Sequence, residues 1–148
     1  MAWAETPYRV TEHTAEKINW RIEEEMRERL NHYALYPEGI NQRLQELDEE
    51  WDIERTLEAN AASFSLAGLT LGLAVNRKFL LLPLAVSAFL LQHAIQGWCP
   101  PLPLFRRLGV RTQHEIETER TALKILRGDF DEISHEDHPA TAVNTVQR

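Results

Sequence analysis

The chain has 148 residues, room for one domain with tails, and a formal net charge of −7. An acidic chain with no basic stripe excludes the usual electrostatic route to nucleic acid, which needs clustered Lys and Arg. Its single cysteine, Cys99, excludes an internal disulfide and a multi-cysteine zinc site.

The averages conceal a segregation. Between Glu58 and Arg106 the only Asp, Glu, Lys or Arg side chains are Arg77 and Lys78, while both flanks are dense in Glu, Asp and Arg. The start, MAWAETPYRVTEH, has no cationic region followed by an apolar core, so no cleavable signal peptide is expected. Residues 1–13 read as a flexible arm. Thr14 can cap a helix running to about Tyr33, on which Ile18, Ile22, Met26 and Leu30 recur every fourth position. Pro37 and Gly39 in ALYPEG then break it.

From Ile40 to Ala67 there is neither Gly nor Pro. Ile40, Leu44, Leu47 and Trp51 form a narrow apolar seam, expected to pack on Ile18, Ile22, Met26 and Leu30 in a helical stalk over residues 14–59. Counting on, the same face reaches Ala61, Ser65, Gly68 and Gly72, so the pattern predicts one long helix passing from water into lipid. Large apolar side chains drive helix association in water, whereas close backbone approach through small residues replaces that drive in lipid.

Residues 60–98 read as a transmembrane hairpin. Its second run, Phe79 to Trp98, is about twenty residues, enough to cross a hydrocarbon core of about 30 Å. The first run is about sixteen residues, near the lower limit for a span. A turn centred on Arg77 sets positions summing to about 154 opposite one another. Gly68 and Gly72 then meet Ala85 and Leu82, Ser65 meets Ala88, and Gln92 faces Ala61. The GLTLG stretch is thereby used within the chain or, alternatively, between two copies. The competing fold is a soluble bundle burying both helices, but the remaining amphipathic segments are too narrow to sheathe them. Basic residues near the ends, Arg43, Arg55, Arg106, Arg107 and Arg111 against Arg77 and Lys78 in the loop, put both termini in the cytoplasm.

Residues 99–130 read as a Pro-rich turn and a capped amphipathic helix. CPPLP ends the second run, and TQHE is a capping box with Thr112 as cap and Glu115 three positions on. The helix closes at Gly128, with Ile116, Leu123 and Leu126 on its apolar face. Residues 131–148 have the composition of a disordered tail, in which His135 and His138 offer weak metal binding at most.

Around GLTLGLAVNRKFLLLPLAVSAFLLQHAIQGWCPPLPLFRRLGV the sequence resembles the YgaP-like transmembrane domain, a bacterial inner-membrane family. The likeness covers roughly residues 55–111, and its signature here is Gly97, Trp98, Cys99 and Pro100, followed by Arg106 and Arg107. It implies a two-helix hairpin in the bacterial inner membrane. The family's namesake adds a rhodanese domain with a sulfur-carrying cysteine; this sequence has none, so sulfurtransferase activity is not implied.

The candidate chemistry is sparse. Cys99 is either a redox or sulfur-carrying thiol or a small boundary residue after a helix end. His93 is a weak metal or haem ligand, needing a second copy to complete a pair, or a polar side chain bonded to the first span. Glu58, Asn60 and Gln96 read as a hydrogen-bonded cluster at the hairpin's mouth. No nucleophile triad, phosphate loop or zinc motif is present. The sequence thus predicts an all-α protein: a transmembrane hairpin, an N-terminal cytoplasmic stalk and a C-terminal amphipathic helix. It is expected to be a non-enzymatic scaffold, accessory or self-assembling subunit with no cofactor. Its expected partners are the bilayer and a homo-oligomer or membrane complex. The alternative is sulfur or redox handling through Cys99 with a rhodanese-like partner.

Overall fold

The computed structural model describes residues 6–130. The tail over 131–148, with His135 and His138, lies outside the described residues, as do residues 1–5 of the arm. Every regular element among the described residues is helical: α1 (Arg9–Glu12), α2 (Glu16–Leu35), α3 (Ile40–Glu49), α4 (Ile53–Ala74), α5 (Leu81–Gln96), α6 (Leu102–Arg107) and α7 (Gln113–Arg127), with 3₁₀ turns at Pro37–Gly39 and Arg77–Leu80. The chain divides into two compact units, one of residues 1–23 and 51–115, the other of residues 24–50 and 116–148.

The first unit holds the apolar segment. Its helices α4 and α5 pack along each other as an antiparallel pair, joined by the 3₁₀ turn. Asn76 caps that turn, its side chain accepting from the Lys78 N–H. This places the turn's pivot before Arg77 and corrects the expected register by about a turn of helix. A Cβ on Gly68 would lie 2.6 Å from Pro83 Cδ and 3.1 Å from Leu82 Cβ, and one on Gly72 would lie 2.5 Å from Leu80 Cδ2. Ala85 and Ala88, expected opposite Gly68 and Ser65, are exposed. Ala61 and Ser65 are half-buried, as is Gln92, which donates to Gln96 at 3.5 Å.

Beneath the pair lies a small core of Val10, Ile53, Leu57, Cys99 and Leu102, with Trp98, Phe105 and Val110 packed against it. Val10 shows that residues 6–13 are not the loose arm the sequence suggested; α1 is part of this core. Beside it, Arg106 is fully buried and saturated. Its guanidinium donates to Glu115 at 2.7 and 2.8 Å, to Asn19 Oδ1, to Thr14 Oγ1 and to the Val110 carbonyl. Five donors in a fixed fork suit arginine to such a node.

The single helix expected from Ile40 onward is broken. α3 ends at Glu49, and α4 begins anew at Ile53 behind Asp52, whose carboxylate accepts from the Arg55 N–H at 2.7 Å. An aspartate in extended conformation is a strong N-cap. Trp51 therefore leaves the seam; it is exposed, with the Arg55 guanidinium 4.2 Å over its ring.

The second unit is built on the rest of the seam. Ile40, Leu44 and Leu47 are buried against Ile116 and Leu123, with Leu30 and Tyr33 at the margin. Of the four α2 positions expected there only Leu30 takes part; Met26 is half-buried, and Ile18 and Ile22 belong to the first unit. α7 supplies the partner face because Ile116 and Leu123 are seven residues apart and align along one stripe. Glu119, on that stripe, is fully buried and holds Arg29 at 2.9 and 3.0 Å and Arg43 at 2.9 Å. Burial alone would lower the Arg43 pKa, but the Glu119 and Glu46 carboxylates outweigh it and raise it.

The capping box at the start of α7 is made reciprocally. The Thr112 N–H donates to Glu115 at 2.7 Å, and the Glu115 N–H donates to Thr112 Oγ1 at 3.2 Å. Gly128 follows the helix at φ 88°.

Candidate functional site

Apart from Ser87, the polar residues of α5 lie in its last turns, Gln92, His93 and Gln96. Gly97 then adopts φ 76°, its N–H donating to the His93 carbonyl at 2.7 Å, and reverses the chain. The reversal is crowded as well as left-handed: the carbonyl of Arg9 packs on Gly97, where a Cβ would lie 2.5 Å from the Arg9 oxygen. Two residues on, Cys99 enters the core at 4% exposure, and its carbonyl accepts from the Leu102 N–H to start α6.

These turns converge on Glu54, in the first turn of α4. One oxygen accepts from Arg9 Nη2 at 2.7 Å, the other meets His93 Nε2 at 2.9 Å. The hydrogen bond from His93, assisted by Arg9, holds the Glu54 carboxyl below the usual carboxylate range against the opposing effect of burial. An ionised carboxylate only accepts, so Nε2 carries the proton in this contact. The Cys99 thiol lies against the same imidazole. Yet Nδ1 makes no hydrogen bond of ordinary geometry, and His93 is 98% enclosed, with 2% exposed. Arg9 Nε is likewise unpaired. Both orphaned nitrogens thus belong to the two partners of Glu54.

A groove of about 460 Å³ opens beside this cluster between α4 and α5. Cys99, Pro100 and Pro101 form one part of its wall, and Leu57, Phe64, Val86 and Phe89 are among the apolar side chains of the rest. The arrangement is a carboxylate, an imidazole and a thiol in sequence, with Cys99 lining an apolar cleft.

The sequence singled out His93 and Cys99 separately and named Glu58 as the acidic residue of the hairpin mouth. Glu58 is exposed and Asn60 donates to the Thr56 carbonyl within its own helix, so the expected cluster with Gln96 does not form. Glu54, one turn earlier, takes that place. The periodicity held the signal, since Glu54 and Glu58 share one face of α4 with Ala61 and Ser65. Arg106 of the signature is committed to Glu115 and Asn19. No group of three His, Cys, Asp or Glu with metal-binding geometry occurs among the described residues. No protein-family model, curated protein or solved structure matches this chain.

Proposed function

We infer that the protein is a small membrane-embedded assembly subunit, without catalysis of its own. The observation that carries this reading is the open apolar surface of α4 and α5. Residues 77–96 form one helical stretch long and apolar enough to cross a bilayer, and only 6% of it is buried inside the molecule. A core helix of a soluble protein would be covered. Leu66, Leu73, Leu81, Leu84 and Leu91 instead stand more than 60% exposed, well beyond the scattered apolar residues of an ordinary surface.

α4 does not reach the same standard alone, because Glu54, Arg55 and Glu58 occupy its first turns. It crosses as the partner of α5, to which it is tied by a tight turn. Its exposed hydroxyls suit that role: Ser63 donates to the Ala59 carbonyl and Thr70 to the Leu66 carbonyl. Each is satisfied within its own helix, as lipid demands. The distribution of Arg and Lys puts both termini on the cytoplasmic side of a bacterial inner membrane, in line with the YgaP-like signature at Gly97–Pro100. Because Gly68 and Gly72 are filled by Leu80, Leu82 and Pro83 of the same chain, oligomers form through other faces or through the polar helices.

Membrane fractionation tests the reading. The untagged chain should resist alkaline carbonate extraction and require detergent. A monodisperse soluble protein in plain buffer would overturn it. Blue-native electrophoresis should then show a homo-oligomer or a complex; monomers alone would remove the assembly role.

A second reading, sulfur or redox handling at Cys99 with a rhodanese-like partner, draws on the contact between the thiol and His93. It has to overcome the 4% exposure of Cys99, which denies a protein partner direct access. Mass spectrometry of the purified chain should show a persulfide on Cys99 if it holds, and a thiol free of sulfane sulfur would defeat it.

A further inference from the structure

A thiol enclosed by protein is ordinarily inert, because water and its reagents do not reach it. Cys99 differs in two respects. It lines the wall of the α4–α5 groove, so access runs through an apolar cleft. And the buried His93 ring beside it leaves Nδ1 without a hydrogen bond of ordinary geometry while Glu54 holds Nε2 at 2.9 Å. A carboxylate-oriented imidazole next to a thiol is the arrangement that activates a sulfur nucleophile.

The groove selects what can arrive. Apart from Asn60 and the Cys99 end, its walls are hydrocarbon, with Leu57, Phe64, Leu82, Val86, Phe89 and Leu90 along its length. A small polar electrophile gains nothing there, whereas a long hydrocarbon chain is drawn in by burial. We propose that Cys99 is an acylation site, taking a long-chain acyl group from a thioester carrier and holding the chain in the groove between α4 and α5.

The step balances without any oxidant or reductant. His93 Nδ1 takes the thiol proton, and the Cys99 sulfur bonds to the carbonyl carbon of the donor thioester. The bond from that carbon to the carrier's sulfur breaks, and the carrier leaves as a free thiol with the proton returned by His93. Glu54 positions the ring and favours its protonated form during transfer. Burial of the new thioester then shields it from hydrolysis. The site rests on the membrane reading above only for the route by which the chain reaches the groove.

The test uses the full chain in mild detergent, incubated with a long-chain acyl-coenzyme A and read by intact mass. One acyl group should add, be released by neutral hydroxylamine and be absent in Cys99→Ser. His93→Gln should slow transfer on the order of 100-fold. Unaltered protein should react at least about ten-fold slower with acetyl-coenzyme A, a comparison that needs no variant to fold. Glu54→Gln should displace the pH profile of transfer, where a purely structural loss would lower it uniformly. No adduct, an adduct surviving in Cys99→Ser, or equal rates for long and short chains would overturn the proposal. Carbonate extraction and acyl transfer are separate readouts, so the membrane reading and the acylation site fail independently.

Discussion

At the scale of single residues, Gly97 bears two constraints at once. Its φ of 76° excludes a side chain at low cost, and the Arg9 carbonyl occupies the space a Cβ would need. Gly109 has φ 88° but nothing within 4 Å of a built Cβ. The pair separates the two effects. Gly109→Ala should lose about 1 kcal/mol, the cost of a left-handed backbone, and Gly97→Ala about 3 kcal/mol once overpacking is added. Thermal unfolding reads the difference, and equal losses would show that the Arg9 contact carries no weight. The same corner shows what sequence could and could not reveal. His93 and Cys99 stand out in a string of apolar residues, and their types alone make them suspects. Glu54 does not, because it is 39 positions from His93 and its partner depends on hairpin register. Arg106 looked like one of several boundary charges; only the converging Thr14, Asn19 and Glu115 identify it as a buried node.

Helix limits follow from local chemistry. Asp52→Ala should cost about 1 kcal/mol, the usual worth of an N-cap, and fray the first turn of α4, measurable as faster amide exchange at Arg55. At the start of α7, burial pushes the Glu115 carboxyl up, but Arg106 and Thr112 outweigh it and hold it below its ordinary 4.5. A depressed carboxylate contributes stability that is complete above its unfolded value and is lost as pH falls through the lower folded value. Stability measured from pH 7 to pH 3 should therefore decline below about 4.5. Glu115→Gln should start lower at neutral pH and fall less steeply, the residual slope coming from Glu54 and Asp129, whose shifts have the same sign. A variant with the wild-type acid slope would contradict the assignment. Capping boxes, Pro-Gly breaks and apolar runs were legible because they act over three or four neighbours. The break at Asp52 was missed because an aspartate inside a continuous apolar stripe fits a helix surface as well as a cap. The expected register, set by a turn centred on Arg77, slipped because Asn76 begins the turn.

For the molecule as a whole, the all-helical class follows from the sequence periodicity, while the pairing of helices does not. The stripe Ile40, Leu44, Leu47 is covered by Ile116 and Leu123 of α7 with Leu30 and Tyr33 of α2 at its margin, and the buried Glu119 of α7 is met by Arg29 of α2 and Arg43 of α3, a convergence that no local pattern announces. Removing one member of a buried ion pair leaves charge without compensation. Glu119→Ala should cost about 3 kcal/mol. Hydrogen exchange should show it as lost protection in α3 and the later part of α7, with α4 and α5 unchanged. Uniform loss across both units would mean they unfold as one. The division has a further meaning for how the protein is made. Each unit is assembled from two stretches of chain, and the strands of their construction alternate: 1–23, then 24–50, then 51–115, then 116 onward. A chain that stops before Ile116 carries residues 24–50 without the Ile116, Glu119 and Leu123 that complete their unit. Such a fragment should leave Ile40, Leu44 and Leu47 uncovered, so limited proteolysis should cut residues 24–50 faster in it than in the full chain.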